Sequence, residues 1–338
     1  MYIEKAYLNK YICIWLGIMF WIVSFMIVLG GLTRLTDSGL SITEWELFSG
    51  IFPPFNDQQW QNYFILYKEI PEFKLQNYSM SLYEFKIIFW WEWAHRFLGR
   101  LIGISFLIPL IYFQFKLGFS KTKSLSLIFL LICFQGFIGW YMVSSGLIDR
   151  VDVSHFRLSI HLVLAFIILS LIYWNYLSYN LSINTENKFP QYFIIFFIIL
   201  IFLQISIGAF VAGMDAGKIY NTWPLMGNNY FPDDNLIKNL FKITAFSDPS
   251  LVQFMHRNLA YLIIIYYLFI LYIAIKNHQK NYFSIIKIIG IILFIQIVLG
   301  ILTLLFGAHI LLASMHQISS IFLVSSSIYL LFFNSKIN

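Results

Sequence analysis

Four histidines, His95, His161, His256 and His316, lie inside stretches apolar enough to cross a bilayer. An ionisable side chain at that depth is costly and marks a functional site by default. Two imidazoles on facing helices can hold a haem iron from both axial sides, so two such pairs imply two haem sites. Glu92 stands three residues before His95, on the same helical face; the residue three before His256 is Gln253. A carboxylate beside one pair can move a proton or stabilise positive charge developing on a substrate. A neutral amide beside the other suits a fixed electron-transfer or structural haem. Arg96 and Arg257 each follow one of these histidines. A guanidinium there either meets a haem propionate or snorkels to the headgroups.

The other polar groups are weaker candidates. Taken singly, His256 and His316 would also serve as polar contacts between helices; recurrence as a pair in each half favours ligation. His309, seven residues before His316, shares its helical face and is an alternative ligand. His155 has no counterpart in the other half, and His278 lies between Lys276 and Lys280 in a connection. Cys13 and Cys133 fall inside apolar spans with no second cysteine near either. They read as small buried apolar residues.

Long helices are needed to position these groups. Of 338 residues, 59% are hydrophobic and 11% charged, with mean hydropathy +0.75; soluble domains are about a quarter charged. Apolar runs at 11–31, 88–114, 122–145, 153–178, 190–212, 250–275, 283–306 and 309–333 predict eight transmembrane helices. The expected fold class is an all-α integral membrane protein. Lys5, Lys10, Lys116, Lys121, Lys123, Lys276, Lys280 and Lys336 fall on one side of that arrangement. Asp37, Glu44, Glu46, Asp57, Glu69, Glu72 and Glu84 gather in one long loop on the other. Lysine excess marks the cytoplasmic face, so both termini are expected inside. The net charge of +6 is then a topology signal, and no nucleic-acid partner is expected. No small-residue cleavage site follows the first apolar run, which reads as a span and not as a cleaved signal.

The spans repeat. A shift of 178 residues superimposes Gly30 on Gly208, Asp37 on Asp215, Gly39 on Gly217, Trp45 on Trp223 and Pro54 on Pro232. A shift of 161 puts Glu92-Trp93-Ala94-His95-Arg96 on Gln253-Phe254-Met255-His256-Arg257, Gln135 on Gln296 and Gly139 on Gly300; one of 155 puts His161 on His316. So collinear a series predicts a duplication into two repeated four-helix bundles, residues 1–178 and 179–338, in the same orientation. All four histidines then lie at similar depth near the outer ends of their spans. The loop at about 37–90 exceeds what a connection needs and carries Trp45, Phe48, Phe52, Phe55, Trp60, Tyr63 and Phe64. It is expected to lie on the membrane as short amphipathic pieces, a lid or an anchor. Gly30, Gly31, Gly136, Gly139, Gly208 and Gly300 sit in spans, where close helix packing accounts for them.

A family resemblance runs through these motifs. The run Gly30-Gly31-Leu32-Thr33-Arg34-Leu35-Thr36-Asp37-Ser38-Gly39-Leu40-Ser41, with Glu44-Trp45 and Pro53-Pro54 after it, resembles the first outer-loop signature of haem A synthases. So do Glu92-Trp93-Ala94-His95-Arg96, Phe156-Arg157-Leu158-Ser159-Ile160-His161-Leu162, Gln253-Phe254-Met255-His256-Arg257 and Met315-His316-Gln317, over essentially the whole chain. The resemblance implies an oxidoreductase that turns a ring methyl of haem O into a formyl group, giving haem A for cytochrome oxidase. It implies that Glu92, His95 and His161 serve the substrate haem O, and that His256 and His316 hold a haem b cofactor. It also implies a bacterial inner-membrane location, with haem O synthase, cytochrome oxidase assembly factors and an electron donor as partners; homo-oligomerisation is left open. Some members carry a cysteine pair in an outer loop. This chain has no loop cysteine and is similar to the cysteine-free proteobacterial and mitochondrial branch. The competing reading is a dihaem b-type membrane electron-transfer protein, a quinol or ferredoxin oxidoreductase, and a third is a haem chaperone or exporter. Neither requires the difference between Glu92 and Gln253.

Overall fold

The computed structural model describes residues 2–46, 49–181 and 189–335; Phe48 and Lys336 lie outside the described residues. The chain forms α1 (Tyr2–Leu35), α2 (Asp57–Lys68), α3 (Pro71–Leu75), α4 (Leu82–Leu117), α5 (Phe119–Asp149), α6 (His155–Asn180), α7 (Gln191–Gly213), α8 (Pro249–Lys276), α9 (Lys280–Leu305) and α10 (Ile310–Ser335). Among the described residues eight helices are long and apolar enough to cross a membrane, all but α2 and α3. Hydrocarbon offers no partner for backbone groups, so segments this apolar close their hydrogen bonds internally as helices. The protein is an all-α integral membrane protein, as its hydropathy predicts.

The helices outrun the apolar runs at several ends. α4 starts at Leu82 because Ser81 and Glu84 form a capping box, with the Glu84 N–H bonded to Ser81 Oγ and the Ser81 N–H to the Glu84 carboxylate, which satisfies donors left open in a first turn. His95 therefore lies thirteen residues into its helix, whereas His161, His256 and His316 lie six, seven and six residues into theirs. Cys13 and Cys133 sit in α1 and α5, but Cys133 is exposed on its helix and not buried as expected.

The chain groups into two compact units, one of residues 21–165 and one made of the segment up to Phe20 with everything from Phe166 onward. The division passes through α1 and α6 and follows packing, whereas the repeat follows residue equivalence. In the second unit α7 packs on α8, α8 on α9, α9 on α10 and α10 back on α7, a closed ring of four helices. In the first unit α4 packs along α5, α2 lies against α4 and α3 against α5.

Part of the long loop packs against the start of α4. Trp60, Phe64 and Tyr67 of α2 are buried with Phe85, Ile88 and Phe89 of α4 and with Leu40, Ile42, Ile70 and Val153. Trp60 meets Phe89 edge-on at 4.9 Å, and Phe64 lies 5.1 Å from Phe85. Each such side chain contributes about 1.5–3 kcal/mol by leaving water, so this part of the loop is a small core of its own. Trp45, Phe52 and Phe55 remain exposed.

Under that core lies a carboxyl the sequence did not single out. Glu72 of α3 is 3% exposed; Oε1 accepts from Asn77 Nδ2, and Oε2 has no hydrogen-bond partner among the described residues. Burial, helped by the charge of Glu92, pushes its pKa from 4.5 up to about 8. In the window between those values the folded loop keeps a proton that the unfolded chain releases. The loop's stability is therefore fully present below 4.5 and declines as pH rises to about 8. Hydrogen-exchange protection factors over α2 and α3 are expected to fall between about pH 5 and about pH 8, and Glu72→Gln to remove that fall. Equal pH dependence in the variant would refute the assignment.

Candidate functional site

The first site lies within the unit 21–165. Helix α4 presents His95 toward Gly30 of α1, and α6 presents His161 toward Gly139 of α5. A methyl group on Gly30 would stand 2.9 Å from His95 Cε1, and one on Gly139 would stand 3.1 Å from His161 Cε1. Each imidazole is thus seated on bare backbone, where an added methyl would crowd the ring. The two ring centres are 6.5 Å apart with planes at 50°. Metal–imidazole bonds of about 2 Å on each side of an ion put opposed ring centres about 6 Å apart. Both Nδ1 atoms are buried without a hydrogen-bond partner among the described residues.

The second site, within α7–α10, repeats the arrangement. A methyl on Gly208 would stand 3.1 Å from His256 Cε1, and one on Gly300 would stand 3.0 Å from His316 Cε1. Here glutamines join the rings. Gln204 Nε2 donates to the His256 carbonyl at 3.1 Å and lies 3.2 Å from His256 Nε2. Gln296 Nε2 lies 3.3 Å from His316 Nε2, and His316 Nδ1 is 3.0 Å from the Gln296 carbonyl oxygen. Nδ1–H donation to a carbonyl is the usual way a ligating imidazole is oriented. Four of the six glycines expected to serve helix packing therefore serve the histidines, while Gly136 meets nothing within 4 Å.

Among the described residues no group of three or more His, Cys, Asp or Glu side chains gathers as a metal cage. Two imidazoles alone are too few for a bare structural ion, but they complete an iron already held by a porphyrin. The paired imidazoles fit haem at both sites, and at the first the ring spacing fits as well.

Beside these pairs the two units diverge as Glu92 and Gln253 suggested. Glu92 is buried, accepts from Ser41 Oγ and the Ile42 N–H at 2.7 Å each, and takes Arg96 Nε and Nη2 at 3.1 and 2.7 Å. Arg96 also donates to the carbonyls of Ile42 and Glu44. Gln253 donates to the Tyr220 carbonyl, and Arg257 to those of Tyr220, Thr222 and Leu225. Ile42 and Glu44 lie 178 residues before Tyr220 and Thr222, and Asp37 and Asp215 both adopt left-handed φ, 48° and 51°. One loop conformation is thus clamped twice, once with a buried charge pair and once with an amide. Both guanidinium groups hold loop backbone; Arg257 Nε is buried and unpartnered among the described residues.

Residues 13–328 match the family described as cytochrome oxidase assembly protein, COX15-CtaA. The chain belongs to this family. It is 48% identical to a protein named heme A synthase from Pelagibacter ubique (strain HTCC1062), over 99% of this chain and 100% of that one. It is 45% identical to one of the same name from Rickettsia bellii (strain OSU 85-389), over 90% and 92% of the two chains. A heme A synthase from Rickettsia felis is 42% identical over 97% and 98%. The alignments span the relatives' full architecture, so family membership covers both units.

Within this family member the structure brings His95 together with His161, and Glu92 with Arg96. His309 is exposed and precedes α10, apart from the helical turns that carry His316. His155 packs on Phe156, its ring centre 4.3 Å away, and His278 is exposed at the end of α8. Sequence reasoning passed over Gln204. Its signal was present, because Gln135, Gln204 and Gln296 each precede a histidine-seating glycine by four residues.

Proposed function

We propose that this protein is a haem A synthase, oxidising a methyl group of haem O to a formyl group to supply haem A to cytochrome oxidase. The observation that carries the reading is the pair His95–His161, rings 6.5 Å apart, on a helix face shared with a buried carboxylate that its counterpart replaces by an amide. The names of the relatives support the reaction.

In this reading His95 and His161 hold the iron of the substrate, haem O, from both sides. Gly30 and Gly139 seat the imidazoles. Oxidising a methyl carbon builds positive charge on it, and the Glu92 carboxylate is the fixed negative group that stabilises that charge. Arg96 orients the carboxylate through Nε and Nη2. Two successive hydroxylations, each drawing a two-electron oxidation and an oxygen atom from an external oxidant, carry the methyl to a geminal diol, which loses water to the aldehyde. His256 and His316 hold a haem b, which supplies one-electron transfer when bound. Arg257 Nε is the donor free to meet a propionate. The isoprenoid tail of haem O enters sideways from lipid between apolar helices. The lysine pattern supports cytoplasmic termini in a bacterial inner membrane, with haem O synthase and cytochrome oxidase assembly factors upstream and downstream. Residues 1–178 and 179–338 are the repeated halves.

The test is expression in a host that makes haem O but not haem A, followed by chromatography of the extracted haems. Haem A is the expected product. Its absence, with b-type haem still bound, would favour the dihaem electron-transfer protein.

A further inference from the structure

The repeat breaks at one further place, on the flanks of the helices away from the histidines. In the unit of residues 21–165, Phe106 of α4 stacks on Phe129 of α5, ring centres 6.5 Å apart and planes at 15°. Nearer the connection between these helices, Gln114 Nε2 donates to Ser126 Oγ at 2.9 Å. A shift of 161 carries Phe106 to Tyr267, Phe129 to Gly290, Gln114 to Ile275 and Ser126 to Lys287. Neither tie can form between α8 and α9, because glycine has no ring and isoleucine no donor. A methyl on Gly290 would collide with the Tyr267 hydroxyl, which donates to the Ile286 carbonyl at 3.1 Å. Between the two helices lies an open groove of about 560 Å³. It runs from Ile275 and Phe283 near the connection to Tyr267 and Phe294 deeper in. Eleven residues of α9 separate Phe283 from Phe294, about 16 Å at 1.5 Å per residue. That is the depth of one leaflet in a bilayer whose hydrocarbon core is about 30 Å thick.

Lys287 lines this groove and is exposed. It stands seven residues into α9, inside an apolar run, where a cation is costly without a counter-charge. No Asp or Glu occurs in α7, nor anywhere from Pro249 to Asn338, so the ring of four helices offers it no carboxylate. A lysine at that depth snorkels its ammonium toward the headgroups, and the connection adjoining it carries Lys276, His278 and Lys280. An apolar slot one leaflet deep, with a cation near its mouth, has the shape and charge to take an acyl chain under a phosphate. Basic pockets between membrane helices bind anionic lipid headgroups in this way. We propose that the α8–α9 groove binds one anionic phospholipid, its phosphate on Lys287 and one acyl chain lying over Gly290 between Tyr267 and Phe294. The first unit has no such site, because Phe106 and Phe129 fill the equivalent place.

The probe is phosphatidylglycerol with a photoreactive diazirine in its acyl chain, carried as a minor component of phosphatidylcholine vesicles that hold the full-length protein. After illumination its adducts are expected on peptides covering residues 267–294. Phosphatidylcholine bearing the same diazirine is expected to label those peptides several-fold less. Lys287→Gln is expected to cut phosphatidylglycerol labelling about fivefold, the worth of one lysine at an anionic surface, and Lys287→Arg to keep it at the parental level. Tyr267→Phe combined with Gly290→Phe, which rebuilds the first unit's stacked pair, is expected to abolish it. Equal labelling by the two lipids, or unchanged labelling in Lys287→Gln, would overturn the proposal. So would a groove that neither lipid labels; a particle of twice the mass would then show a second copy of the chain seated there.

Discussion

Glu92→Gln is expected to lower haem A formation by about 100-fold or more while the b-type spectrum of the second site stays unchanged. Losing one preorganised group that stabilises transition-state charge costs about that much. The substitution also has a structural cost. Arg96 is only 10% exposed and its ion pair with Glu92 is 2.7 Å long; removing one member of a buried pair typically costs about 3–5 kcal/mol. Two observations separate the effects. Gln253 occupies the same place in the second unit and still holds its loop through the Tyr220 carbonyl, so an amide fits the position. Glu92→Asp keeps the charge but shortens its reach, and is expected to retain more activity than Glu92→Gln at similar thermal stability. Full activity in Glu92→Gln would end the case for the carboxylate.

The second large effect is expected from a methyl group. Gly208→Ala should strip the second site of most of its haem, with the haem-to-protein ratio read by pyridine haemochrome. In a helix interior this substitution is ordinarily favourable by about 0.5–1 kcal/mol. Here the new carbon would stand 3.1 Å from His256 Cε1, inside the optimal separation of about 3.5–4.0 Å. The ring must move away from Gln204, which lies 3.2 Å from its Nε2. The apoprotein should therefore melt no lower than the parent while its haem affinity drops about 10–100-fold. Gly136→Ala is the control, because nothing lies within 4 Å of its added carbon. Equal haem content in the two variants would show that the glycine is not a seat.

Much of this molecule is legible along the chain, and the reason is periodicity. Eight apolar runs translate into eight membrane helices because hydrocarbon leaves the backbone no other partner. The ends were less legible, as at α4, where Ser81 and Glu84 start the helix in polar sequence. The histidines announced themselves by being ionisable in apolar surroundings, and their pairing by recurrence. The aromatic loop was legible as composition and not as contacts: Trp60 and Phe64 announce an apolar surface, but only the extension of α4 shows Phe85 and Phe89 as what they pack on.

The sequence by itself determined the class of protein, the family and the residue types at the two sites. These properties depend on local hydropathy and on matches between aligned residues. Tertiary structure alone decided what each group touches. Glu92 meets Ser41 across 51 residues, Gln204 meets His256 across 52, and Gln296 meets His316 across 20. Contacts between separate helices depend on how their faces are turned, and no repeat within one helix encodes that. The glycines make the point most directly. As letters they permit close packing of any kind; only the fold shows that at Gly30, Gly139, Gly208 and Gly300 the close neighbour is an imidazole.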